Sequence, residues 1–289
     1  MTLSLAYLGP RGTYTETAAV AYCTWLQRKT SKSVTLQAYP SIFQAIKATA
    51  TGETVLSIVP VENSIEGGVT VTLDTLWQLD HLRIQHALVL PIAHVFVSQA
   101  QDISAVDLVY SHPQALAQCQ QWIEKNVPQA KLVPASSTTE ALQHLRENPN
   151  AAAISSERAA ELYQLPILAE GLNDYADNCT KFWVLGLTPA KSGGHTFLAF
   201  SLPVNAPGAL LKPLQIFAKY SINLSRIESR PTKRSLGDYL FFVDLEAGIT
   251  TDATQTALNE LTTCTETLKT FGSYTFLPLE ELRSGQIES

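Results

Sequence analysis

The chain has 289 residues, a formal net charge of −6, and 45% hydrophobic against only 16% charged residues, where about 25% charged is usual. That length and apolar content can bury the cores of roughly two domains. No Lys/Arg cluster supplies the concentrated basic face that nucleic acid or an anionic membrane needs, so neither is expected as a partner. An anionic small molecule stays compatible, because a local cation and a few backbone N–H groups can hold it.

Met1-Thr2-Leu3-Ser4-Leu5 lacks the basic start and apolar core of a signal peptide, and no apolar run approaches the ~18 residues of a membrane span. The four cysteines, Cys23, Cys119, Cys179 and Cys264, lie far apart without a Cys-x-x-Cys pair. They read as reduced thiols, and the expected location is cytoplasmic.

Leu3–Leu8 is strand-like and breaks at Gly9-Pro10-Arg11-Gly12; Ala18, Ala19, Tyr22, Cys23, Trp25 and Leu26 then follow a helical period. Val34–Leu36 is a second strand, Ser41 caps a helix through Ile46, and Val55–Val59 is a third strand ending at Pro60. This alternation favours a mostly parallel, covered sheet. Pro60 to Gly68 is a turn, a helix carries Val69 to Trp77, and the apolar Ile84–Val97 stretch is expected to cross between two lobes. A second αβ set runs from Leu108–Tyr110 through Ser111-His112-Pro113 and a helix to Asn126. Further on come a strand near Leu132, a helix to Glu147 capped by Ser137 and Glu140, a strand at Ala151–Ile154 and a helix from Ser156 to Tyr163.

Asn178-Cys179-Thr180-Lys181-Phe182 then sets a polar group at the mouth of an apolar strand, where α/β proteins bind ligands. Residues 188–194 are small and polar and read as a linker. Beyond them the order is β-α-β-β-α-β, with strands at His195–Leu202, Ile222–Ile227, Tyr239–Leu245 and Tyr274–Phe276, and helices at Ala209–Tyr220 and Ala253–Leu268. That is a split βαβ, ferredoxin-like unit. Pro278 to Ser289 is polar and expected to fray.

Four of these stretches, Tyr7–Thr15, Pro60–Gly67, Ser111–Cys119 and Asn178–Phe182, resemble in the right order the landmarks of prephenate dehydratase. Asn205–Leu211 and Ile227–Pro231 resemble the two motifs of its phenylalanine-binding ACT domain. The resemblance runs from about Leu3 to Phe276, and six ordered landmarks are far more specific than a lone motif. It implies two α/β lobes around a cleft at 1–187, like periplasmic binding proteins, a linker at 188–194, an ACT domain at 195–277 and a tail at 278–289. The implied reaction turns prephenate into phenylpyruvate, water and carbon dioxide without a cofactor, under inhibition by phenylalanine, in a homodimer or homotetramer. The rivals are a relative that takes arogenate or that decarboxylates prephenate without removing its hydroxyl, and an amino-acid sensor without catalysis.

On this reading Thr180 donates a hydrogen bond that strengthens on the departing ring hydroxyl. Asn63 orients a hydroxyl or carboxylate, and Glu62 is a general acid if burial raises its pKa. Ser111, or the N–H groups behind it, can hold a carboxylate. Gln118 points into the cleft or lies on its helix surface; Asn178 at the strand mouth, Ser64 in the turn beside Asn63, and Thr13 in a turn able to approach an anion complete the expected substrate-binding set. Lys181 stands where the family usually has arginine, and either binds a substrate carboxylate or pairs with a protein one. The expected effector site comprises Asn205, Gly208, Ala209, Leu210, Glu228, Ser229 and Arg230. The histidines show no metal-ligand spacing, and no residue order recommends a hydrolase triad.

Overall fold

The computed structural model describes residues 3–146, 148–190 and 192–283. In the first lobe, β1 (Leu3–Leu8), α1 (Tyr14–Thr30), β2 (Val34–Tyr39), α2 (Ile42–Ala50), β3 (Leu56–Asn63), β4 (Gly67–Gly68), α3 (Thr70–Gln78) and β5 (Arg83–Pro91) follow in order. β1 pairs in parallel with β2 and β3, as the alternation of strand and helix predicts. The chain then crosses to a second lobe of β6 (His94–Ser98), β7 (Leu108–Ser111), α4 (Pro113–Gln118), α5 (Gln120–Asn126), β8 (Lys131–Pro134), β9 (Ala151–Ser156), α6 (Glu157–Tyr163) and β10 (Ile167–Ala169). It returns through β11 (Cys179–Gly186), which inserts antiparallel between β3 and β5.

The C-terminal unit comprises β12 (His195–Ser201), α7 (Leu211–Lys219), β13 (Leu224–Pro231), β14 (Tyr239–Leu245), α8 (Asp252–Leu261) and β15 (Thr267–Phe276), the βαββαβ order expected. Its sheet is continuous with that of the first lobe, in the order β13-β14-β12-β15-β5-β11-β3-β1-β2, with β4 beside β3. β15 makes the join: residues up to Tyr274 pair with β12, while Thr275 and Phe276 pair with His86 and Ala87 of β5. A single apolar core follows this continuity, with Trp183, Leu185 and Val59 of the first lobe packed on Phe197, Phe242 and Tyr274.

Several elements differ from the sequence expectation. The helix from Pro113 breaks at Cys119 into α4 and α5. The segment after Ser137 is a 3-10 helix, Glu140–Arg146, and Glu147 lies outside the described residues. The last strand is ten residues long rather than three. Residues Leu279–Arg283 form α9, whose Leu282 is buried against α1, so this part of the tail is folded rather than frayed; 284–289 lie outside the described residues.

The lobes meet closely. A Cβ at Gly12, whose φ is +90°, would lie 3.0 Å from the Ala159 Cβ across the cleft. Ser156 Oγ donates to the Gly12 carbonyl at 2.7 Å, and Arg158 Nε to buried Glu16 at 3.0 Å. Burial alone would push the Glu16 carboxyl up, but Arg158, the Gly12 N–H and Arg11 outweigh it and hold it below its ordinary value. Its contribution is therefore present above the unfolded pKa and lost as pH falls through the folded one. His86 acts on the same acid limb at higher pH. Burial beside Tyr22 and Trp25 lowers it from 6.5 to about 4, so the unfolded chain binds the extra proton between those values. The thermal midpoint is expected to fall as pH drops from about 6.5 toward about 4, and His86→Gln to flatten that limb in a calorimetric pH series.

Candidate active site

Strand periodicity decides which side chains can meet. Successive residues of a strand point to opposite faces, and Thr180 of β11 lies opposite Asn63 of β3, with Lys181 opposite Glu62. Asn63 and Thr180 therefore share the face turned toward the second lobe. Glu62 and Lys181 share the other, toward the C-terminal unit.

On the first face a cavity of about 770 Å³ opens between the lobes, lined by Thr13 and Tyr14 on one side, Asn63, Thr180 and Phe182 on its floor, and His94, Gln118 and Ser136–Thr138 on the other. Its floor is a closed ring of side-chain amides. The Asn63 Oδ1 accepts from the Ile65 and Glu66 backbone N–H groups, both at 3.1 Å, which fixes the orientation of that amide. Its Nδ2 is then a donor, shared among Asn178 Oδ1 at 2.9 Å, the Cys179 carbonyl at 3.1 Å and Thr180 Oγ1 at 3.1 Å. Asn178 Nδ2 donates to Gln118 Oε1 at 2.9 Å, and Gln118 Nε2 returns to Asn63 Oδ1 at 3.4 Å.

All four side chains are under 10% exposed, so water cannot replace these bonds and the ring holds its members in place. Thr180 Oγ1 accepts from Asn63 and donates to no group among the described residues, leaving its hydrogen for a ligand in the cleft. The ring also assigns the His94 tautomer. Gln118 Oε1 is an acceptor, so His94 Nε2, 3.3 Å away, carries hydrogen. The Tyr14 hydroxyl donates to the Ala93 carbonyl at 2.6 Å and lies 3.1 Å from His94 Nδ1, the bare nitrogen of the neutral ring, with which its one hydrogen is shared. Burial holds the His94 pKa below its ordinary value, and the bond to Gln118 opposes this only in part. The Tyr14 hydroxyl is pushed up by burial. Gln118→Leu strips the acceptor from two buried donors, at roughly 1–3 kcal/mol each. A lowered thermal midpoint together with reduced turnover is the expected result.

The sequence candidates divide. Thr180, Asn63, Asn178 and Gln118 converge, and Thr13 reaches the cleft wall while capping α1 through the Glu16 N–H. Glu62 does not belong to the cleft. It is on the reverse face of β3, with Arg226 Nη1 3.8 Å away, so it is no acid for a substrate there. Lys181 is likewise reversed: its Nζ lies 2.7 Å from buried Asp244 and 3.0 Å from the Tyr274 hydroxyl, which decides for the protein-carboxylate alternative. The Ser111 hydroxyl is fully buried and donates to the Ile154 carbonyl at 2.6 Å, away from the cleft. Ser64 is exposed outside the lining and accepts from the Cys179 N–H.

His94 and Tyr14 were missed. Tyr14 stood inside the Tyr7–Thr15 landmark, whereas nothing in the residues around His94 marks it. Among the described residues the charged or hydroxyl-bearing lining includes Glu140, already engaged by the Ser136 N–H and hydroxyl, and no Lys or Arg. A negative ligand would thus be held by hydroxyl, amide and backbone N–H groups.

In the C-terminal unit, Asn205 Nδ2 donates to the Gly237 carbonyl at 2.8 Å. Gly208 has φ +81°, and the Ala209 N–H is used inside the turn by the Ala206 carbonyl, leading through Leu210 into α7. Ser229 is on the exposed face of β13. Glu228 and Arg230 are not beside it; the strand alternation turns them onto the first lobe, where Arg230 forks onto Asp74 at 3.1 and 3.0 Å.

Fold and cleft together define a two-lobed α/β enzyme with a regulatory-type βαββαβ unit fused through one sheet. Family models agree, with Prephenate dehydratase matching residues 5–190 and ACT domain matching 196–263. A prephenate dehydratase of Lactococcus lactis subsp. cremoris is 34% identical over 97% of this chain and 100% of its own. A bifunctional chorismate mutase/prephenate dehydratase of Aquifex aeolicus is 38% identical over 96% of this chain and 75% of its own. The crystal structure of prephenate dehydratase in complex with L-Phe from Arthrobacter aurescens, 33% identical, superposes with a TM-score of 0.84 over 94% of this chain and 90% of that one. The chain belongs to the prephenate dehydratase family and carries an ACT domain.

Proposed function

We propose that prephenate is converted in the cleft between the two lobes, with Thr180 donating its hydrogen bond to the departing ring hydroxyl. The observation that carries this reading is the amide ring, which makes the Thr180 oxygen, on the cleft lining, an acceptor from Asn63 and so leaves its hydrogen available for donation. Prephenate loses its ring carboxylate as carbon dioxide, and the electron pair of that bond expels the ring hydroxyl. One proton is taken up, so that water leaves and the ring becomes aromatic. The site's task is to stabilise negative charge growing on the hydroxyl oxygen, which fixed donors do better than water because they need no reorganisation. Asn63, Asn178 and Gln118 hold Thr180 in place, and neutral His94 with Tyr14 closes the far side. Ser137 and Thr138 offer neutral donors to the substrate's carboxylates from the cleft wall, whereas the Thr13 hydroxyl is spent on the Pro10 and Leu8 carbonyls and Ser136 on Glu140.

The boundary between the catalytic part and the ACT domain is placed at 188–194, in keeping with family matches that end at 190 and begin at 196. L-phenylalanine is the effector of the ACT domain, a reading supported by the L-Phe complex of the Arthrobacter relative. The exposed apolar Val204, Leu211, Ile227, Leu236 and Tyr239 of this domain suit a homodimer or homotetramer. No helix among the described residues is long and apolar enough to cross a membrane, and cytoplasmic location is part of the proposal. Purified protein given prephenate, with phenylpyruvate followed by its absorbance and L-phenylalanine added in steps, tests both halves. Absence of turnover sinks the catalytic half, and turnover indifferent to phenylalanine sinks the regulatory half.

A further inference from the structure

The face of the ACT sheet that packs on the catalytic strands is charged, and what it meets adjoins the cleft residues in the chain. Along β13 the two-residue repeat turns Arg226, Glu228 and Arg230 inward and exposes the residues between them. Arg226 Nη2 donates to Glu228 at 2.5 Å, and Arg226 Nη1 lies 3.8 Å from Glu62, the residue before Asn63. Lys181, the residue after Thr180, is held by Asp244 and Tyr274 under the Phe276 ring, 4.9 Å from its centroid. The Tyr274 hydroxyl itself donates to Asp244 at 2.5 Å. At the β3–β4 hairpin the two parts touch without a gap: a Cβ at Gly68 would lie 2.2 Å from Glu228 Oε2 and 2.5 Å from Arg226 Nη2.

The seam also holds bonding capacity it does not use. Among the described residues, Asp244 Oδ1 and Arg226 Nη1 are buried without a hydrogen-bond partner, although Arg226 and Asp244 are cross-strand neighbours. A second arrangement is therefore open, in which Arg226 turns from Glu228 toward Asp244 or closes on Glu62. Two discrete arrangements of one contact set are what coupling between distant sites requires. Each change of partner pulls on the strand carrying Asn63 or Thr180, and the bond between those two depends on the β3–β11 register.

We propose that this seam couples the ACT domain to the cleft, with Glu62, Lys181, Arg226 and Asp244 as positioning residues that act on Asn63 and Thr180 through β3 and β11. The inference rests on the reading of the ACT domain as the phenylalanine site. Phenylalanine shifts turnover by favouring one seam arrangement over the other, and only by the difference in its affinity for the two.

The test uses the full chain as wild type, Lys181→Arg, Gly68→Ala and the double variant Lys181→Met/Asp244→Asn, which removes the ion pair without leaving a lone buried charge. Prephenate turnover is titrated with L-phenylalanine, and phenylalanine binding is measured by calorimetry alongside. Gly68→Ala and the double variant are expected to bind phenylalanine within about threefold of wild type, yet to keep at saturating phenylalanine at least about tenfold more turnover than wild type keeps. Lys181→Arg is expected to keep the wild-type response. If both folded variants retain the wild-type inhibition curve, the seam is not the coupling element; should the double variant fail to fold, Gly68→Ala decides alone. A wild type that turns prephenate over but ignores phenylalanine overturns the coupling and leaves the dehydratase reading standing. A wild type without turnover overturns that reading first, and the coupling with it.

Discussion

Thr180→Ala is expected to lower kcat on prephenate by about 10² to 10³, the usual cost of losing one preorganised donor to a developing oxyanion, with KM changed far less. Thr180 is 9% exposed, and its hydroxyl accepts one bond from Asn63. The amide loses one of three acceptors and keeps Asn178 Oδ1 and the Cys179 carbonyl, so the ring survives and the fold with it. Thr180→Ser, which keeps the hydroxyl, should recover most of the rate. Steady-state kinetics with a thermal melt of each variant checks the argument, and near-normal kcat in a folded Thr180→Ala protein would remove Thr180 from the mechanism.

Lys181→Met is expected to destabilise the protein by about 3–5 kcal/mol, because it removes the cation bonded to the buried Asp244 carboxylate and leaves Tyr274 as its side-chain hydrogen-bond donor. Asp244 is 0% exposed, and its Oδ2 is the atom that both Lys181 and Tyr274 bind. Burial and the adjacent carboxylate push the Tyr274 hydroxyl up, so it stays a donor and cannot replace the lost cation. A fall in the thermal midpoint of roughly 10 °C is expected for a chain of this size. Neutralising both partners in Lys181→Met/Asp244→Asn should restore most of it, since a paired deletion leaves no uncompensated charge. Lys181→Arg should leave KM for prephenate unchanged, because this cation faces away from the cleft. A destabilised single variant that the second substitution does not rescue would point to packing against Trp183, Tyr274 and Phe276 as the source of the loss.

Period-two alternation was present in Thr180-Lys181 at an expected strand start, but Glu62-Asn63 read as a turn, and only the extension of β3 through Pro60 to Asn63 brings that pair under the same rule. Once Asn63 and Thr180 are assigned to the cleft, their neighbours must face the other way. What alternation could not supply is the identity of the groups waiting there, because Asp244, Tyr274 and Arg226 arrive from strands 60 and more residues away. Ser111 and His112 show the same limit on a smaller scale. A serine before a helix-opening proline suits a carboxylate contact, yet β7 ends with that hydroxyl aimed at its neighbour strand β9. His112 instead caps α4 through the Gln114 N–H.

By itself the sequence determined most of the order of strands and helices, the βαββαβ unit and the family landmarks, and it named Thr180, Asn63, Asn178 and Gln118 only among a longer set of candidates, since local periodicity, turn chemistry and short motifs do not say which side chains meet. Only the tertiary structure decided that Asn63, Asn178 and Gln118 orient one another in a ring, and that His94 and Tyr14 complete the cavity. It alone also set Lys181, where arginine was expected, as a strut between catalytic strand and ACT sheet. The physical reason is that hydrogen bonds and ion pairs between residues 50 to 120 positions apart exist only once β11 has inserted between β3 and β5. That insertion is a property of the folded sheet and of no single stretch of chain.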